Sequence, residues 1–567
     1  MKLLMALSSC LLLMQMSTAM AAPQYIQPKA LEQIVKTSAK PVQDQNLSLP
    51  IITWGGDITT IYANGSDKQT QTGSLFHSYG LDFQLTRNDD FTKQLELYLS
   101  GKTPYLRGTL GMINAATDLL NKQPNTAPVI IHQLTWSSGG DALVVKQGIN
   151  TVADLKGKTI ALQAYGPHVD YMMTLLSDAK LKPSDVKIKW LPDLTGTDNS
   201  PMAALYESDI DAAFVIIPDA LALTSGGNVG TGAEDSIKNA RILMSTKTAN
   251  RVITDVYAVR SDYYQQHRNK VESFVKALYS ASSEVKKLFN HPGSDQARYN
   301  QLLRTSAQLL LDSADAVADT QGLYLDAEHL DINSNMQFFT DQAYPRNANK
   351  MNHQIQPMLK HLALSKGSKM PTLADWDFVA LGGDVSFSQK SRFNSAKVAN
   401  VVAKKQQQSA LSDGELFSFE VAFTPNQNAF DGALYAAEFN RVIELASTYG
   451  GAVITVEGHS DPLKYLRSKK QGESGAVLAR LKQSNKNISL SRAQSVQEGL
   501  IEFAQQQGIT LDSNQFALVG HGFSQPQTGM CGSDPCAPKT EAEWRSNMRV
   551  VFRIIQLEAE ADVFQPL

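Results

Sequence analysis

Three cysteines in 567 residues are too few for a disulfide-built scaffold. Past the N-terminus, no stretch reaches the roughly 18 consecutive apolar residues of a spanning helix, so none is expected there. An excess of basic charge is missing too. Lys and Arg number 52 against 55 Asp and Glu, a formal net charge of −3. This argues against nucleic acid as the main partner, because phosphate binding needs a basic surface. The short enzyme motifs fail on inspection. "GKT" at 101–103 and 157–159 lacks the earlier Gly of a phosphate loop, since Glu96 and Val152 stand at that position. "DINSNMQFF" from Asp331 has the rhythm of a calcium loop, but Met336 replaces its turn Gly and Gln342 its final Glu. Neither H-E-x-x-H nor G-x-S-x-G occurs. No coherent catalytic set emerges, and the expectation is a protein that is not an enzyme and uses no cofactor or metal.

What is present is an ordinary globular balance, 43% apolar and 19% charged, in a chain long enough for two or three domains. Residues 1–22, "MKLLMALSSCLLLMQMSTAMAA", place Lys2 before an apolar run and then Ala19-Met20-Ala21, the pattern of a cleaved export signal. Leu7-Ser8-Ser9-Cys10 also has the pattern of a lipid-attachment site, although the apolar run before Cys10 is short for one. Cys531 and Cys536 lie in "GMCGSDPCAPK"; outside the cytoplasm, this spacing predicts a disulfide-closed loop. A metal knuckle would need further ligands that are not nearby.

Residues 48–60 read as a strand and a Gly-rich turn, and 91–122 and 200–207 as helices. The runs 127–134, 141–146, 158–164 and 186–191 read as strands. This alternation predicts an α/β fold with mostly parallel sheets. Residues 262–290 and 296–318 carry amphipathic helical patterns. The stretch 388–412 is rich in Ser, Lys, Gln and Asn and reads as a linker or exposed helix. Beyond it, four strand-like segments and two helical ones predict a small α+β unit.

The segments "INTVADLKGKTIALQAYGPHVDYMMTLLSDAKLKPSDVKIKWLP" and "MAALYESDIDAAFVIIPDA" carry a resemblance. Through them, residues 48–362 resemble the periplasmic solute-binding proteins of the nitrate/sulfonate/taurine type, although Ser208 replaces the usual Gly before Asp209. The resemblance implies a two-lobed periplasmic-binding-protein fold over 23–365. Its cleft would hold a small anionic or zwitterionic solute, and its partner would be an inner-membrane ABC permease. Open α/β sheets bind ligands at the carboxyl ends of strands, where helix N-termini present free N–H groups. The loops placed there are Trp54 to Asp57, Trp136 to Asp141 and Ala164 to His168. Ser137, Ser138, Gly139 and Gly140 offer donors to an anion. Trp54 and Tyr165 offer packing surface, Asp57 an acceptor for an amine, and His168 a polar contact. Chain crossings between the lobes are expected near 139–143 and 250–256.

A second resemblance rests on "VEGHSD", "ISLSRAQSVQEGLIE", "FALVGHGFSQP" and "EAEWRSNMRVVFRI", in that order. Through them, residues 416–557 resemble the OmpA-like peptidoglycan-binding family, with 366–415 as a linker and 558–567 as a tail. The resemblance implies that Asp461 takes the ammonium of diaminopimelate and Arg492 its carboxylate, since an Arg fork matches a carboxylate bidentately. Asn547 and Arg549 fall on the closing motif as supporting residues, and Arg492 is expected near a helix N-terminus. Two departures stand out: Met548 replaces the first of two arginines, and 463–487 is an insertion with five Lys and two Arg against one Glu. The location implied is the periplasm, at the peptidoglycan, with the outer membrane nearby.

Overall fold

The structure is a computed structural model that describes residues 22–43, 47–233, 235–384, 393–408, 411, 415–423 and 435–555. The expected leader up to residue 21, Cys10 included, and the expected tail 558–567 lie outside the described residues.

The chain builds one lobe, leaves it, builds a second and returns. Strands β1 (Leu47–Ile51), β2 (Phe83–Arg87), β3 (Tyr105–Thr109) and β4 (Pro128–Ser137) belong to the first lobe. Strands β5 (Asp141–Val145), β6 (Thr159–Gln163), β7 (Lys187–Leu191), β8 (Ala212–Ile216) and β9 (Arg241–Ser245) form the second. Strands β10 (Thr254–Arg260), β11 (Ala327–His329) and β12 (Thr372–Leu373) complete the first. The main sheet orders are β11-β4-β10-β3, with β12 beside β4, and β7-β6-β8-β5-β9. The chain therefore crosses between lobes at 138–140 and 246–253. All ten residues of β4 are buried, the polar His132, Gln133, Thr135 and Ser137 included.

Two expectations need correction. The sheets are mixed: β10 runs antiparallel to β3 and β4, and β5 antiparallel to β8 and β9. Each of these strands enters its sheet from a lobe crossing, and the expected β-helix-β alternation sets only the directions of strands that are linked within one lobe. The expected helix 91–122 is two helices, Phe91–Leu99 and Leu110–Leu120, with β3 between them. Gly101 at φ 76° turns the chain, and Pro104 bars helix continuation.

The first lobe also extends past residue 365 into the expected linker. β12 pairs with β4, and the buried Trp376 donates its indole N–H to the Ile131 carbonyl (2.8 Å). The guanidinium of Arg268 lies 5.0 Å from the Trp376 ring. A separate arm joins the lobes near the N-terminus. Ile26 bridges to Trp190 on β7, while the helix Leu31–Ile34 packs on Leu110–Leu120 of the first lobe.

The C-terminal unit is a four-stranded sheet in the order β13 (Glu415–Ala422), β18 (Arg549–Ile555), β14 (Val453–His459) and β15 (Phe516–Gly522). A small hairpin, β16 (Met530–Cys531) and β17 (Asp534–Pro535), is closed by the predicted Cys531–Cys536 disulfide. The former linker stretch contributes the helix Ser395–Gln407, whose Val398, Val401 and Val402 pack on Val453, Ala517 and Val519. The unit is docked on the lobes. Tyr449, fully buried, donates to Asp178 Oδ2 (2.8 Å), and Arg441 pairs with Asp178 Oδ1 (3.1 Å). The Gly451 N–H donates to Thr248 O, and the Arg251 N–H to Thr448 O. Both contacts fall on the second crossing.

Beneath the first lobe's loops lies a buried ion triad. Arg107 on β3 pairs with Asp57 (Nη2–Oδ2 2.8 Å) and with Asp255 on β10 (Nη1–Oδ1 2.7 Å), and all three side chains are closed to solvent. Removing one partner of a buried charge group costs about 3–5 kcal/mol. Arg107→Ala should therefore lower the urea-unfolding stability of the first lobe by that amount. Trp376→Ala should cost about 3–5 kcal/mol in the same measurement, as large-to-small core changes do, whereas a true linker tryptophan would cost almost nothing.

Candidate functional site

Two groups of loops gather polar side chains. The first lies at the lobe crossings and at the carboxyl ends of the parallel strands β6, β7 and β8 in the second lobe. His168 opens the helix His168–Asp178 after β6, Thr195 follows β7, and Asp219 stands in the first turn of Ile217–Leu223 after β8. His168 Nε2 is 2.8 Å from Asp141 Oδ1, and its Nδ1 is buried without a hydrogen-bond partner. Asp219 accepts from Thr195 through Oδ1 (3.0 Å), and its Oδ2 is likewise buried and unpartnered. Burial raises the Asp219 carboxyl, and the Thr195 bond and the His168 charge pull it back.

Much of the expected donor set is engaged by the protein itself. Ser137 Oγ donates to Asp141 Oδ2 (2.6 Å), and the N–H groups of Gly139 and Asp141 both donate to Thr246 Oγ1. The Ser138 N–H donates to Asp326 O. Asp57 is held by Arg107 at zero exposure, so no amine of a solute reaches it. Tyr165, at φ 60°, accepts from the Lys29 N–H (2.8 Å) and donates to Lys29 O (2.7 Å), which ties it to the N-terminal arm.

Trp54 and Gly140 do come together. A Cβ on Gly140 would fall 2.4 Å from Trp54 Cη2, so only glycine lets the indole seat there. The indole N–H donates to Thr135 Oγ1 (2.9 Å), which in turn donates to Asp255 of the triad (3.2 Å). Asp326 lies beside this contact. Burial pushes it up to about 6, with Asp141 adding and Lys247 opposing. Asp219, Thr195, Thr246 and Asp326 were not singled out from the sequence. Asp219 stands in "DAAFVIIPDA", just past a strand, where the strand-end rule would have found it.

The second group lies at the end of β14. The helix Gly475–Gln506 comes close to the strand because Gly458 has no side chain: a Cβ there would fall 1.8 Å from Ser489 O. Ser489 Oγ accepts from the Gly522 N–H (2.9 Å), fixing β15 to the same helix. Arg492 is thus in the middle of a helix whose N-cap is Ser474, not near a helix N-terminus, because the insertion is itself helical. Arg492 Nη1 donates to His459 O (3.3 Å), and its charge faces Asp461. Among the described residues, no ion pair joins Arg492 to Asp461. Asp461 Oδ2 accepts from the Leu463 N–H (2.8 Å), while Oδ1 is buried without a bond of ordinary length. Burial raises the Asp461 carboxyl, against the nearby Leu463, Trp544 and Asn547 donors and the Arg467 charge. Asn547 accepts from the Gln527 N–H (2.7 Å). Arg549 donates to Glu420 (3.2 Å) and to Gln525 O (3.3 Å), with its Nη1 buried and unpartnered. Met548 is buried in the core, which accounts for an apolar residue at that position.

Glu457, His459 and His521 could hold a metal by proximity, their ligand atoms lying within 4.8 Å of one another. Two guanidinium groups oppose this. Arg553 donates to Glu457 Oε1 (2.9 Å), and the Arg549 charge, after burial itself, helps push His459 down to about 2. The His459 ring is therefore neutral.

Comparison with known proteins bears on the first part of the chain. Residues 71–293 match the family model described as NMT1/THI5 like. A taurine-binding periplasmic protein of Escherichia coli (strain K12) is 30% identical over 155 residues, covering 27% of this chain and 44% of that protein. The match thus spans less than half the length of that curated relative. Solved structures similar to this chain include the following two. The periplasmic aliphatic sulphonate binding protein SsuA from Escherichia coli has 15% identity, with 62% of this chain and 99% of that one covered and a TM-score of 0.39. The desulfurization enzyme DSZB has 18% identity, with 59% and 98% covered and a TM-score of 0.36.

Proposed function

We propose that this chain is a periplasmic solute-binding protein held at the cell wall. Its two-lobed part takes a small sulfonate-type or other anionic or zwitterionic solute without chemical change. The observation that carries this reading is the pair of buried, unpartnered polar atoms, His168 Nδ1 and Asp219 Oδ2, at the carboxyl ends of the second lobe's strands. Leaving such atoms without a partner costs about 1–3 kcal/mol each, and a bound solute would supply the partners. The taurine-binding relative supports the solute class. Asp219 would accept the ammonium of a zwitterion, and the N-terminal N–H groups of His168–Asp178 would face its anionic end. An inner-membrane ABC permease is the partner that such a receptor would serve.

The C-terminal unit, on this reading, is an OmpA-like domain that binds diaminopimelate-containing peptidoglycan. Support comes from the four motifs in order and from the convergence of Asp461, Arg492 and Asn547 at the end of β14. The buried atoms there that lack partners include Asp461 Oδ1, Ser460 Oγ and both His459 ring nitrogens.

A wall-bound scaffold with a vestigial pocket is the second reading. It is favoured by the internal engagement of Asp57, Ser137, Gly139 and Tyr165, which leaves few free donors at the crossings.

A thermal-shift series on the mature chain separates the two. Taurine, an alkanesulfonate and nitrate are the probes, and a ligand at 100 times its Kd stabilises by about 2.7 kcal/mol. The receptor reading expects a shift with at least one probe and its loss in Asp219→Ala; a flat series in the wild type favours the scaffold. For the wall, Asp461→Ala should fold normally yet fail to sediment with purified sacculi. Sedimentation equal to wild type would remove Asp461 from the site.

A further inference from the structure

The insertion 463–487 and the disulfide hairpin enclose a second cleft that the wall-binding reading leaves unused. Its volume is about 450 Å³, within the range of small-ligand sites. The floor is apolar: the rings of Tyr465 and Phe523, 3% and 7% exposed, pack 4.8 Å apart with a tilt of 34° and show the cleft little more than their edges. One wall is the inserted part of the helix Gly475–Gln506, which presents Lys482 and Lys486 four residues apart, hence on one face. Lys482 Nζ lies 5.2 Å from the Tyr465 ring centroid. The opposite wall is the hairpin β16–β17, with Met530 about half exposed at the rim and Pro535 buried below. Ser524 and Ser533 add hydroxyls.

The charge balance of this cleft is positive. Its one carboxylate, Asp534, already accepts from Tyr465 Oη (3.0 Å) and is salt-bridged to Lys469. Lys482 feels Asp534 only at longer range, and Lys486 has no ion pair among the described residues. The cleft adjoins the Asp461 site through His521, which lines it and stacks on His459 with ring centroids 4.8 Å apart.

An apolar floor, hydroxyls at the rim and two ammonium groups with no ion pair among the described residues match one ligand chemistry. We propose that this cleft is a saccharide subsite for an anionic sugar. The anion is either the free lactyl carboxylate of a muramic acid stripped of its stem peptide, or a sugar phosphate. The proposal rests on the reading of the C-terminal unit as wall-binding and names a second part of the wall that it takes. Lysines are strongly hydrated point charges, suited to either anion. The insertion builds one side of the cleft, since Tyr465, Ala479, Lys482, Gln483 and Lys486 all line it.

The test is binding by the full mature chain, followed by calorimetry and saturation-transfer NMR. The probes are N-acetylglucosaminyl-N-acetylmuramic acid, glucosamine 6-phosphate, neutral chitobiose and a diaminopimelate-containing stem tripeptide. The expected result is binding of at least one anionic sugar but not of chitobiose. Lys482→Glu with Lys486→Glu, both exposed, should weaken it at least tenfold and leave the tripeptide unaffected; Asp461→Ala should do the reverse. Preference for the disaccharide or for the phosphate identifies the source of the anion, and either supports the subsite. Binding of the tripeptide without either anionic sugar overturns the subsite alone. Sugar binding that ignores the two lysines, or that extends equally to chitobiose, also overturns it. Failure of the sugars and the tripeptide alike overturns the subsite and the wall reading together.

Discussion

The first lobe is organised around one guanidinium. Arg107 reaches from β3 to Asp57, which opens the helix Asp57–Ala63 after β1, and to Asp255, on β10. It therefore ties together the outgoing and the returning passes of the chain. Burying three charges is tolerable only when their geometry satisfies them, and here the bonds do so at 2.7 and 2.8 Å. The triad also acts on the surface above it. Asp255 accepts from Thr135, Thr135 accepts from the Trp54 indole, and the indole rests on Gly140. The position of Trp54 at the lobe crossing is thus set by an ion group that no solute touches.

This changes how the crossing is understood as chemistry. Ser137, Gly139 and Asp141 converge on Thr246, a residue of the other crossing, so their donors bind the two crossings to each other. Polar groups that serve the backbone in this way set the position of neighbouring groups and are not available to recognise a ligand. Polar atoms left unsatisfied lie in the second lobe, one each on His168 and Asp219. The C-terminal unit has the same division. Gly458, Ser489 and Gly522 bring helix and strands together, and the polar atoms that remain unsatisfied sit just beyond them.

Strands with apolar and β-branched runs were legible in the sequence: β4, β5, β6 and β7 lie within one or two residues of those runs, apart from a longer end on β4, although the edge strand β7 is only partly buried. Strand β3 was not, because "YLRGT" places a charged residue in a short run, and the charge looks like surface until its two acidic partners are found in space. Strand direction was not legible either, since it depends on which lobe the chain has just left. Arg492 was expected near a helix N-terminus because Ser489 and Ser491 resemble a helix start, whereas the inserted residues continue the helix Gly475–Gln506. At the site, Trp54 and Gly140 were legible as a Trp and a Gly-rich turn. That Asp57 and Tyr165 are already engaged was not, because their partners, Arg107 and Lys29, lie 50 and 136 residues away.

The docking of the C-terminal unit has a thermodynamic consequence. Its contacts fall on Asp178 in the second lobe and on Thr248 and Arg251 in a crossing, and Gly508 meets Ala343 near the first lobe. A change in the angle between the lobes would therefore disturb some of these contacts. Linkage between such equilibria is reciprocal. A ligand that preferred a different lobe angle would alter the docking equilibrium by the same factor by which docking alters its affinity.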